Sequence, residues 1–326
     1  MPGSQGDTTY QETVKHFREL VSTQSLPFPV AAFASLLEHA RHSQALTISE
    51  LTHSLSEAST YLRLAVSGSW PLEAGCMLFK RFFATVTANS VDLEVGRRDL
   101  LRRGDQYVAT ACAARETIAG LAANFIKDDT TILLHSYSRV IQALLEEALR
   151  KGKRFSVLVT EASPTYSGKE TAKALKALDI PVRMIPDAAV AALIHKVDAV
   201  WLGAEAVAEN GGLVSQVGTR QLAVVAKEAS KPLFAAVESY KFVRKLPLGQ
   251  EDLPADAPTA LQAYPEGFLN QGEVYLLSTH LISLLSIQWI RPAIDFTPPE
   301  LVTLLVTDLG VMAPSAVGDE LFRIYG

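Results

Sequence analysis

Three polar side chains that could act on a bound molecule each follow a short apolar segment. Ser136 follows "TILLH", Glu161 follows "FSVLVT" and Glu205 follows "VDAVWLGA". A carboxylate can transfer protons, and a serine hydroxyl becomes a nucleophile when a separate base activates it. If the segments are strands of one parallel sheet, all three side chains lie at the edge where such sheets bind ligands. The alternative is that both carboxylates are ordinary exposed loop residues.

A histidine and a glycine-rich turn extend this set. His135 immediately precedes Ser136, so it either faces the same edge or is a partly buried histidine with satisfied nitrogens. The segment "ENGG" includes Asn210, and "VGT" further along precedes a predicted helix. Free backbone amides near the start of a helix suit an anion such as phosphate. An ordinary Asn-Gly turn is the alternative.

Several other chemistries lack support in the sequence. The dinucleotide fingerprint GxGxxG, the phosphate loop GxxxxGK(S/T) and the zinc motif HExxH do not occur. His39 and His42 could share a helix face, which we interpret as a solvated face, and we predict no metal site. The two cysteines, Cys76 and Cys112, form no CxxC pair, so disulfides are not expected. The net charge of -5 gives no general attraction to nucleic acid or to an anionic membrane.

The periodicity of apolar residues predicts the elements that would position these groups. Helical spacing extends from Tyr10 to about Ile126, which predicts an all-helical N-terminal domain over residues 1–126. In the domain predicted over residues 127–326, short apolar segments alternate with helical ones, which indicates an α/β fold with a doubly wound, mostly parallel, Rossmann-like sheet. The predicted strands are "TILLHS", "FSVLVTE", "PVRMI", "VDAVWLG" and "PLFAAVE", and the predicted helices cover 138–152, 169–178, 187–196 and a segment after Thr219.

Three segments follow these elements. "KLPLGQEDLPADAP" at 245–258 is rich in proline and acid, which is typical of an irregular surface loop. The apolar stretch 274–290 is interrupted by polar residues, which favours buried core over a membrane span. "TPPE" at 297–300 has the pattern of a capping box and predicts a helix that starts there and ends at Gly310. The N-terminal residues lack the features of a secretory signal, so we do not expect secretion.

A basic run lies in the helical half. "GRRDLLRRGDQY" at 96–107 places Arg98 and Arg102 four residues apart on a predicted helix. Such runs are usually solvated helix faces. The alternative is docking of a phosphorylated or acidic partner, because arginine binds phosphate through charge-assisted hydrogen bonds.

Several longer segments are similar to a known superfamily. "TILLHSYSRVIQALLEEALRKGKRFSVLVTEASPTYSGKETAKAL", "VDAVWLGAEAVAENGGLVSQVGTRQLAVVAK" and "VTLLVTDLGVMAPSAVGDELFRIYG" resemble the superfamily of initiation factor 2B alpha, beta and delta subunits and methylthioribose-1-phosphate isomerase. "HSYSR", "AENGG" and "TDLGVMAPSAV" favour the alpha subunits within it. The resemblance is close from Ile126 onward and looser in the helical half.

The resemblance bears on catalysis. The isomerases have a motif similar to THCN, whose cysteine is an acid/base, and a later motif similar to GAD…NGD…NKIGT, whose aspartate is its partner. Ser136 stands at the position of the cysteine, Tyr137 at that of the asparagine, Glu205 at that of the aspartate and Gln216 at that of the lysine. A thiol has a pKa of about 8.5, whereas a serine hydroxyl needs a separate base. Two altered catalytic positions imply that turnover is lost, and no cofactor is required.

Binding of an anion is less affected by these changes. The glycines, Arg139, Lys227 and a predicted helix start near Gly75 could still hold a phosphate group. The resemblance therefore implies a pocket for a sugar phosphate, a nucleotide monophosphate or phosphate, bound without conversion.

The resemblance also implies a role in translation initiation. The chain would be a cytosolic, non-catalytic subunit of the guanine nucleotide exchange factor for initiation factor 2. It would form a homodimer, join beta, gamma, delta and epsilon subunits in a decamer, and sense the phosphorylated alpha subunit of initiation factor 2. Thr47 and Glu50 are the predicted partner contacts, although "TISE" is also a capping box. An active sugar-phosphate isomerase and a free-standing metabolite sensor remain as alternatives, and neither nucleic acid nor membrane is expected as a partner.

Overall fold

The computed structural model describes residues 4–23, 26–66, 69–88, 92–253 and 292–325. Five helices precede the first strand, as the apolar periodicity predicts. They are α1 (Ser4–Ser22), α2 (Phe28–His42), α3 (Ile48–Ala65), α4 (Trp70–Thr87) and α5 (Leu93–Ala122). Three of them start at side-chain caps: Thr47 accepts from the Glu50 amide at 3.1 Å, Ser69 from the Leu72 amide and Asp92 from the Glu94 amide.

Two sheets follow the helices. Among the described residues, a seven-stranded sheet has the order β10-β9-β7-β4-β1-β2-β3, in which β9 and β10 pair antiparallel and the other pairs are parallel. A smaller antiparallel sheet has the order β5-β6-β8. The strands are β1 (Thr130–Leu134), β2 (Phe155–Thr160), β3 (Val182–Ile185), β4 (Ala199–Leu202), β5 (Ala206–Val207), β6 (Leu213–Gln216), β7 (Leu233–Ala236), β8 (Ile294–Thr297), β9 (Leu304–Thr307) and β10 (Gly310–Met312).

Helices cover both faces of the large sheet, which confirms the predicted doubly wound fold. They are α6 (Arg139–Arg150), α7 (Gly168–Ala177), α8 (Val190–Leu193), α9 (Thr219–Glu228) and α10 (Val317–Tyr325). Separate apolar clusters fill the two faces, one including Leu144 and Trp201 and the other including Leu158 and Leu222.

Helices α4 and α5 contribute side chains both to the core of the helical bundle and to the core of the sheet. The 30-residue helix α5 contributes Leu100 to the core of the helical bundle and Ile118 to the core of the sheet. Helix α4 contributes Phe79 to the bundle, while Met77 packs against the sheet. Two continuous helices therefore pack against both the bundle core and the sheet core.

One prediction of secondary structure is wrong, and a second is confirmed in its bounds but not in its helix type. "TPPE" does not start a helix, because Thr297 ends strand β8 and a single 3-10 turn at Pro299–Leu301 leads into β9. The apolar run of β9 pairs with β7 inside the sheet, and a short apolar run does not distinguish a strand from a helix. The helix predicted over 187–196 is one α-helical turn, α8, between two 3-10 turns.

Two other predictions concern segments that lie partly or wholly outside the described residues. The predicted loop at 245–258 is irregular up to residue 253 except for a 3-10 turn at Gln250–Asp252, and its remainder lies outside the described residues. The predicted buried segment 274–290 lies wholly outside them.

Candidate functional site

The order of the strands reverses between β1 and β4, which defines one point at the carboxyl edge of the large sheet. From β1 the chain adds β2 and β3 on one side, and from β4 it adds β7 and β9 on the other. Ligands of doubly wound sheets bind at such a reversal, between the loops that leave the two central strands. These loops touch: a Cβ on Gly203, just after β4, would lie 2.3 Å from the Ser138 hydroxyl, just before α6. We call the ends of β1, β2, β4, β6 and β7 the rim.

His135 is a buried histidine at the end of β1, as one of the two alternatives predicts. Its Nδ1 lies 2.6 Å from the Thr160 hydroxyl and its Nε2 lies 2.9 Å from the Val217 carbonyl. Burial lowers the pKa of His135, although the hydrogen bond to Val217 and the charge of Asp187 oppose that shift. Both ring nitrogens are engaged, so the ring offers no free base to Ser136.

Ser136 and Tyr137 form the loop after His135. Ser136 is half-buried with a φ of 63°, and its carbonyl accepts a 2.7 Å bond from the Thr171 hydroxyl. The Tyr137 hydroxyl donates to Gln142 on α6 at 3.1 Å. Burial raises the pKa of Tyr137, against the opposing positive charges of Arg139 and Arg115.

Gln216 is buried beneath the rim. Its oxygen accepts from the Ser167 hydroxyl at 3.0 Å, and its nitrogen donates to the Ala162 carbonyl at 3.0 Å and to the Thr165 hydroxyl. The amide of Gln216 therefore ties β6 to the loop after β2.

The glycine-rich turn and the start of α9 are both occupied by the chain itself. Asn210 accepts from the Gly212 amide at 2.9 Å, which is an Asx turn, and a Cβ on Gly211 would lie 2.1 Å from the Pro314 carbonyl. At α9, the carboxylate of Asp295 accepts from the Gly218 amide at 2.8 Å and the Arg220 amide at 3.0 Å. The start of α9, where the sequence suggested that a ligand anion could bind, is therefore occupied by the carboxylate of Asp295.

Among the described residues, no ion pair balances the charge of Asp295. Its second oxygen, Oδ1, is buried without a hydrogen-bond partner. Burial raises the pKa of Asp295 to about 6, and the two amides and the charge of Arg220 only partly offset this effect.

A cluster of cations lies at the end of β7. The buried Glu238 accepts from Arg115 of helix α5 at 3.2 Å, and its other oxygen lies 2.8 Å from the ammonium of Lys241. Lys241 also donates to the Ala204 carbonyl, after β4, at 2.9 Å. Although burial alone would raise the pKa of Glu238, Lys241 and then Arg115 lower it to about 2.

Two tyrosines show that Arg139 belongs to this cluster. Burial and the charge of Glu238 raise the pKa of Tyr240, against opposing charges from Arg115 and Arg139. The same two arginines act on Tyr137. The cations of Arg115, Arg139 and Lys241 therefore lie near the β1–β4 reversal together with the carboxylates of Glu238, Glu146 and Glu170.

The other predicted ligand residues are dispersed. Glu161 and Glu205 follow β2 and β4 at the rim, and both are half-buried. Gly75 lies in α4, where a Cβ would lie 2.3 Å from the Pro29 carbonyl, so its place in the fold is a close helix contact. Lys227 is exposed in the last turn of α9, at the end remote from the rim, and the structure does not bring it to the other residues.

Of the predicted partner residues, Thr47 is the N-cap of α3, and the carboxylate of Glu50 accepts from Leu46 instead of closing a capping box with Thr47. Glu50 accepts from the Leu46 amide at 2.8 Å, and Thr47 accepts from the Glu50 amide. Both residues are exposed, and the neighbouring Ile48 is half-buried. Further along α3, a cavity of about 470 Å³ opens between α3 and α4. It is lined by Thr52, Leu55, Ser56, Phe79, Lys80, Phe83, Ala84 and Thr87.

The basic run of α5 is largely paired. Arg102 and Arg103 contact Asp99, and Arg97 donates to the carbonyls of Ser43 and Ala45. His39 lies between the hydroxyls of Thr13 and Ser54. Among the described residues no group of three or more metal-binding side chains occurs, and no helix there is long and apolar enough to cross a membrane.

Sequence reasoning missed Arg115, Glu238, Lys241 and Asp295. Glu238 follows the apolar segment of β7 in the same way that Glu161 follows β2, so the rule that selected Glu161 could have found it. Arg115 lies in the middle of a helix 123 residues from Glu238, and nothing in the local sequence distinguishes it.

Comparisons with known proteins agree with this architecture. Translation initiation factor eIF2B subunit alpha of Dictyostelium discoideum is 37% identical over 320 residues, which cover 96% of each chain. The protein of the same name from Caenorhabditis elegans is 30% identical over 319 residues, or 97% of this chain and 99% of that one. Ribose 1,5-bisphosphate isomerase of Pyrococcus furiosus is 30% identical over 305 residues, or 91% of this chain and 88% of that one.

Solved structures have the same fold. The Pyrococcus horikoshii OT3 translation initiation factor eIF-2B superposes with a TM-score of 0.67 at 22% identity, covering 96% of this chain and 98% of that one. A chain of the tetrameric eIF2B-beta2-delta2 complex from C. thermophilum superposes with a TM-score of 0.73 at 20% identity, covering 99% and 97%. The profile of the initiation factor 2 subunit family matches residues 23–314. The chain belongs to the initiation factor 2 subunit family.

Proposed function

We propose that this chain is the regulatory, non-catalytic alpha subunit of the guanine nucleotide exchange factor for translation initiation factor 2. The observation that carries the proposal is the similarity to two alpha subunits over almost the whole of each chain. The chain would act in the cytosol as a homodimer that joins beta, gamma, delta and epsilon subunits in a decamer. The fold of a chain in a beta2-delta2 complex supports a shared mode of assembly.

The side chains at the rim support the absence of turnover. A hydrogen shift between adjacent carbons needs an acid and a base whose pKa values lie near working pH. Ser136 would need a base, and the adjacent His135 has both nitrogens engaged by Thr160 and Val217. Gln216 is committed to the loop after β2 and carries no charge.

The same rim supports binding of an anion. Arg115 and Lys241 contact the buried carboxylate of Glu238, and Arg139 lies near them at the β1–β4 reversal. A sugar phosphate or a nucleotide monophosphate would bind these cations through charge-assisted hydrogen bonds, without any covalent step. In this proposal the phosphate binds at the cation cluster, because Asp295 already occupies the start of α9.

The helical half would detect the phosphorylated alpha subunit of initiation factor 2. Thr47 and Glu50 start α3, and the cavity between α3 and α4 begins one turn further along the same helix. Regulation of this kind requires that the partner binds two states of the complex with different affinity.

Guanine nucleotide exchange measures this role directly. The other four subunits would be assayed on initiation factor 2, with and without this chain, while the fraction of phosphorylated factor is raised. We expect phosphorylation to inhibit exchange strongly only when the chain is present. Equal inhibition without the chain, or no recovery of the four subunits with it from extract, would favour the free-standing metabolite sensor. Variants at Thr47 and Glu50 would be compared with His53→Ala, an exposed position on the same helix that does not line the cavity between α3 and α4.

An active sugar-phosphate isomerase is the second candidate, and the 30% identity to a ribose 1,5-bisphosphate isomerase favours it. The purified chain would be incubated with ribose 1,5-bisphosphate or methylthioribose 1-phosphate. Steady conversion that disappears in Glu205→Gln would establish the isomerase and overturn the regulatory proposal. We expect no conversion above that of the variant.

A further inference from the structure

One imidazole contacts three separate loops of the rim. His135 itself belongs to the loop after β1, its Nδ1 meets Thr160 at the end of β2, and its Nε2 meets Val217 between β6 and α9. The ring also packs against Gly218, where a Cβ would lie 2.7 Å from the ring carbon Cε1. Gly218 has a φ of 103°, so both the ring and the backbone conformation require glycine there.

The partners of the ring fix its protonation. A carbonyl can only accept, so Nε2 carries a proton and donates it to Val217. Because burial holds the pKa of His135 below its ordinary value, Nδ1 is unprotonated and accepts from the Thr160 hydroxyl. Asp187 is 3.9 Å from Nδ1, but its oxygens accept from the amides of Ala162 and Ser163.

The loops that meet at the ring adopt conformations that need support. Ser136 and Ala162 have φ values of 63° and 60°, a region that residues with a Cβ adopt at a cost. Gln216 ties the loop containing Ala162 to the turn that contains Val217. The ring and this amide therefore hold the same two loops from two different points.

We propose that His135 is a positioning residue: as a neutral ring it fixes the loops after β1, β2 and β6 in one arrangement, and it does not itself touch the ligand. This inference rests on the proposed anion site, because the loop it fixes carries Tyr137 and leads to Arg139. The ring is 4% exposed, which leaves it out of reach of a molecule at the cation cluster.

Two substitutions separate the contacts of the ring. In His135→Gln the side-chain amide nitrogen reaches roughly the position of Nε2 and can still donate to Val217. In His135→Asn the shorter amide oxygen reaches roughly the position of Nδ1 and can still accept from Thr160. Because each variant keeps one contact and loses the other, each serves as the control for its partner.

Hydrogen exchange tests the positioning role without a ligand. We expect His135→Asn to accelerate amide exchange at residues 216–220 about tenfold, the effect of losing one buried hydrogen bond, while His135→Gln leaves this segment near wild type. Strand β1 should exchange as in wild type in both variants. Equal acceleration of 216–220 in both variants, or in neither, would overturn the proposal.

Ring spectroscopy and ligand binding complete the test. Selective 15N labelling should show His135 as a neutral ring with the proton on Nε2 at pH 7 to 8, and a proton on Nδ1 would contradict the assignment. Ribose 5-phosphate is the probe, and its Kd should rise about tenfold in His135→Asn and less in His135→Gln. Unchanged Kd values in both variants would overturn the positioning role. If wild type binds neither ribose 5-phosphate nor inorganic phosphate, the anion site fails, and hydrogen exchange and spectroscopy still decide the role of His135.

Discussion

Two buried carboxylates at opposite ends of the rim are stabilised in different ways. Glu238, after β7, lies between the side chains of Arg115 and Lys241, and its pKa falls to about 2. Asp295, in β8, accepts from two amides at the start of α9, and its pKa rises to about 6. Both are almost fully buried. The amides of a helix start are weaker partners for a buried charge than two full cations.

Glu238 and Asp295 contribute to the free energy of unfolding in opposite pH ranges. Glu238 has a lowered pKa in the folded state, so its contribution of about 3 kcal/mol is present above pH 4.5 and is lost as pH falls toward 2. Asp295 has a raised pKa, so the folded state binds its proton more tightly. Its contribution, also about 3 kcal/mol, is complete below pH 3.8 and is lost as pH rises through about 6.

Removing the charge of Glu238 should have the largest effect. Glu238→Gln leaves Arg115 and Lys241 without their counter-ion, and we expect unfolding free energy at pH 7 to fall by about 3 to 5 kcal/mol. Urea denaturation followed by circular dichroism measures it. Glu147→Gln is the matched control, since Glu147 contacts Arg150 and Lys151 on the surface of α6, and its substitution should change little. Equal losses in the two variants would show that the burial of Glu238 is not what matters.

Asp295→Asn should alter the pH dependence of the unfolding free energy and leave its value at neutral pH nearly unchanged. Asparagine can still accept from the Gly218 amide but does not titrate. Wild type should therefore gain about 3 kcal/mol over the variant between pH 7 and pH 4. Unfolding midpoints measured at intervals over this range test the sign. A gain as pH rises would mean that Asp295 is stabilised as an anion, like Glu238, and would remove the contrast.

The two cations of Glu238 should contribute unequally. Lys241 has the stronger influence on its pKa, so Lys241→Met should cost about 2 kcal/mol and Arg115→Gln about 1 kcal/mol. Urea denaturation midpoints at pH 7 show which of the two substitutions causes the larger loss of stability. The reverse order would assign the main ion pair to helix α5 and strengthen the link between the rim and the helical bundle.

The smallest expected effect is at Arg220. Its positive charge is the cation that opposes the raised pKa of Asp295. Arg220→Gln should raise the pKa of Asp295 further, so the loss of stability would begin at higher pH, with a change within about 0.5 kcal/mol at pH 7. The pH profile of Arg220→Gln in the Asp295→Asn background should show no such displacement. A displacement that persists there would assign the effect to another group.

The sequence predicted the fold better than the site. Alternating apolar strands and amphipathic helices identify β1, β2, β3, β4 and β7, because burial of one face sets both periods. The same reasoning failed at β9, where "LLVT" is too short to show a period. The two-residue strand β5 is likewise too short to be recognised.

The site depends on contacts that local patterns do not contain. Asp295 lies 77 residues from the Gly218 amide that it accepts from, so the free helix start expected at α9 could not be ruled out from the sequence. Lys227 was predicted as a ligand residue because of its charge, but it lies in the last turn of α9, at the end of the helix remote from the rim. Ser136 and Glu205 were placed correctly at strand ends, since that position follows from the order of elements alone.

Native mass spectrometry of the chain mixed with purified beta, gamma, delta and epsilon subunits tests the regulatory role most directly. The proposal predicts one assembly that contains two copies of this chain and two of each other subunit. A chain that stays separate from the other four subunits at micromolar concentration would contradict it.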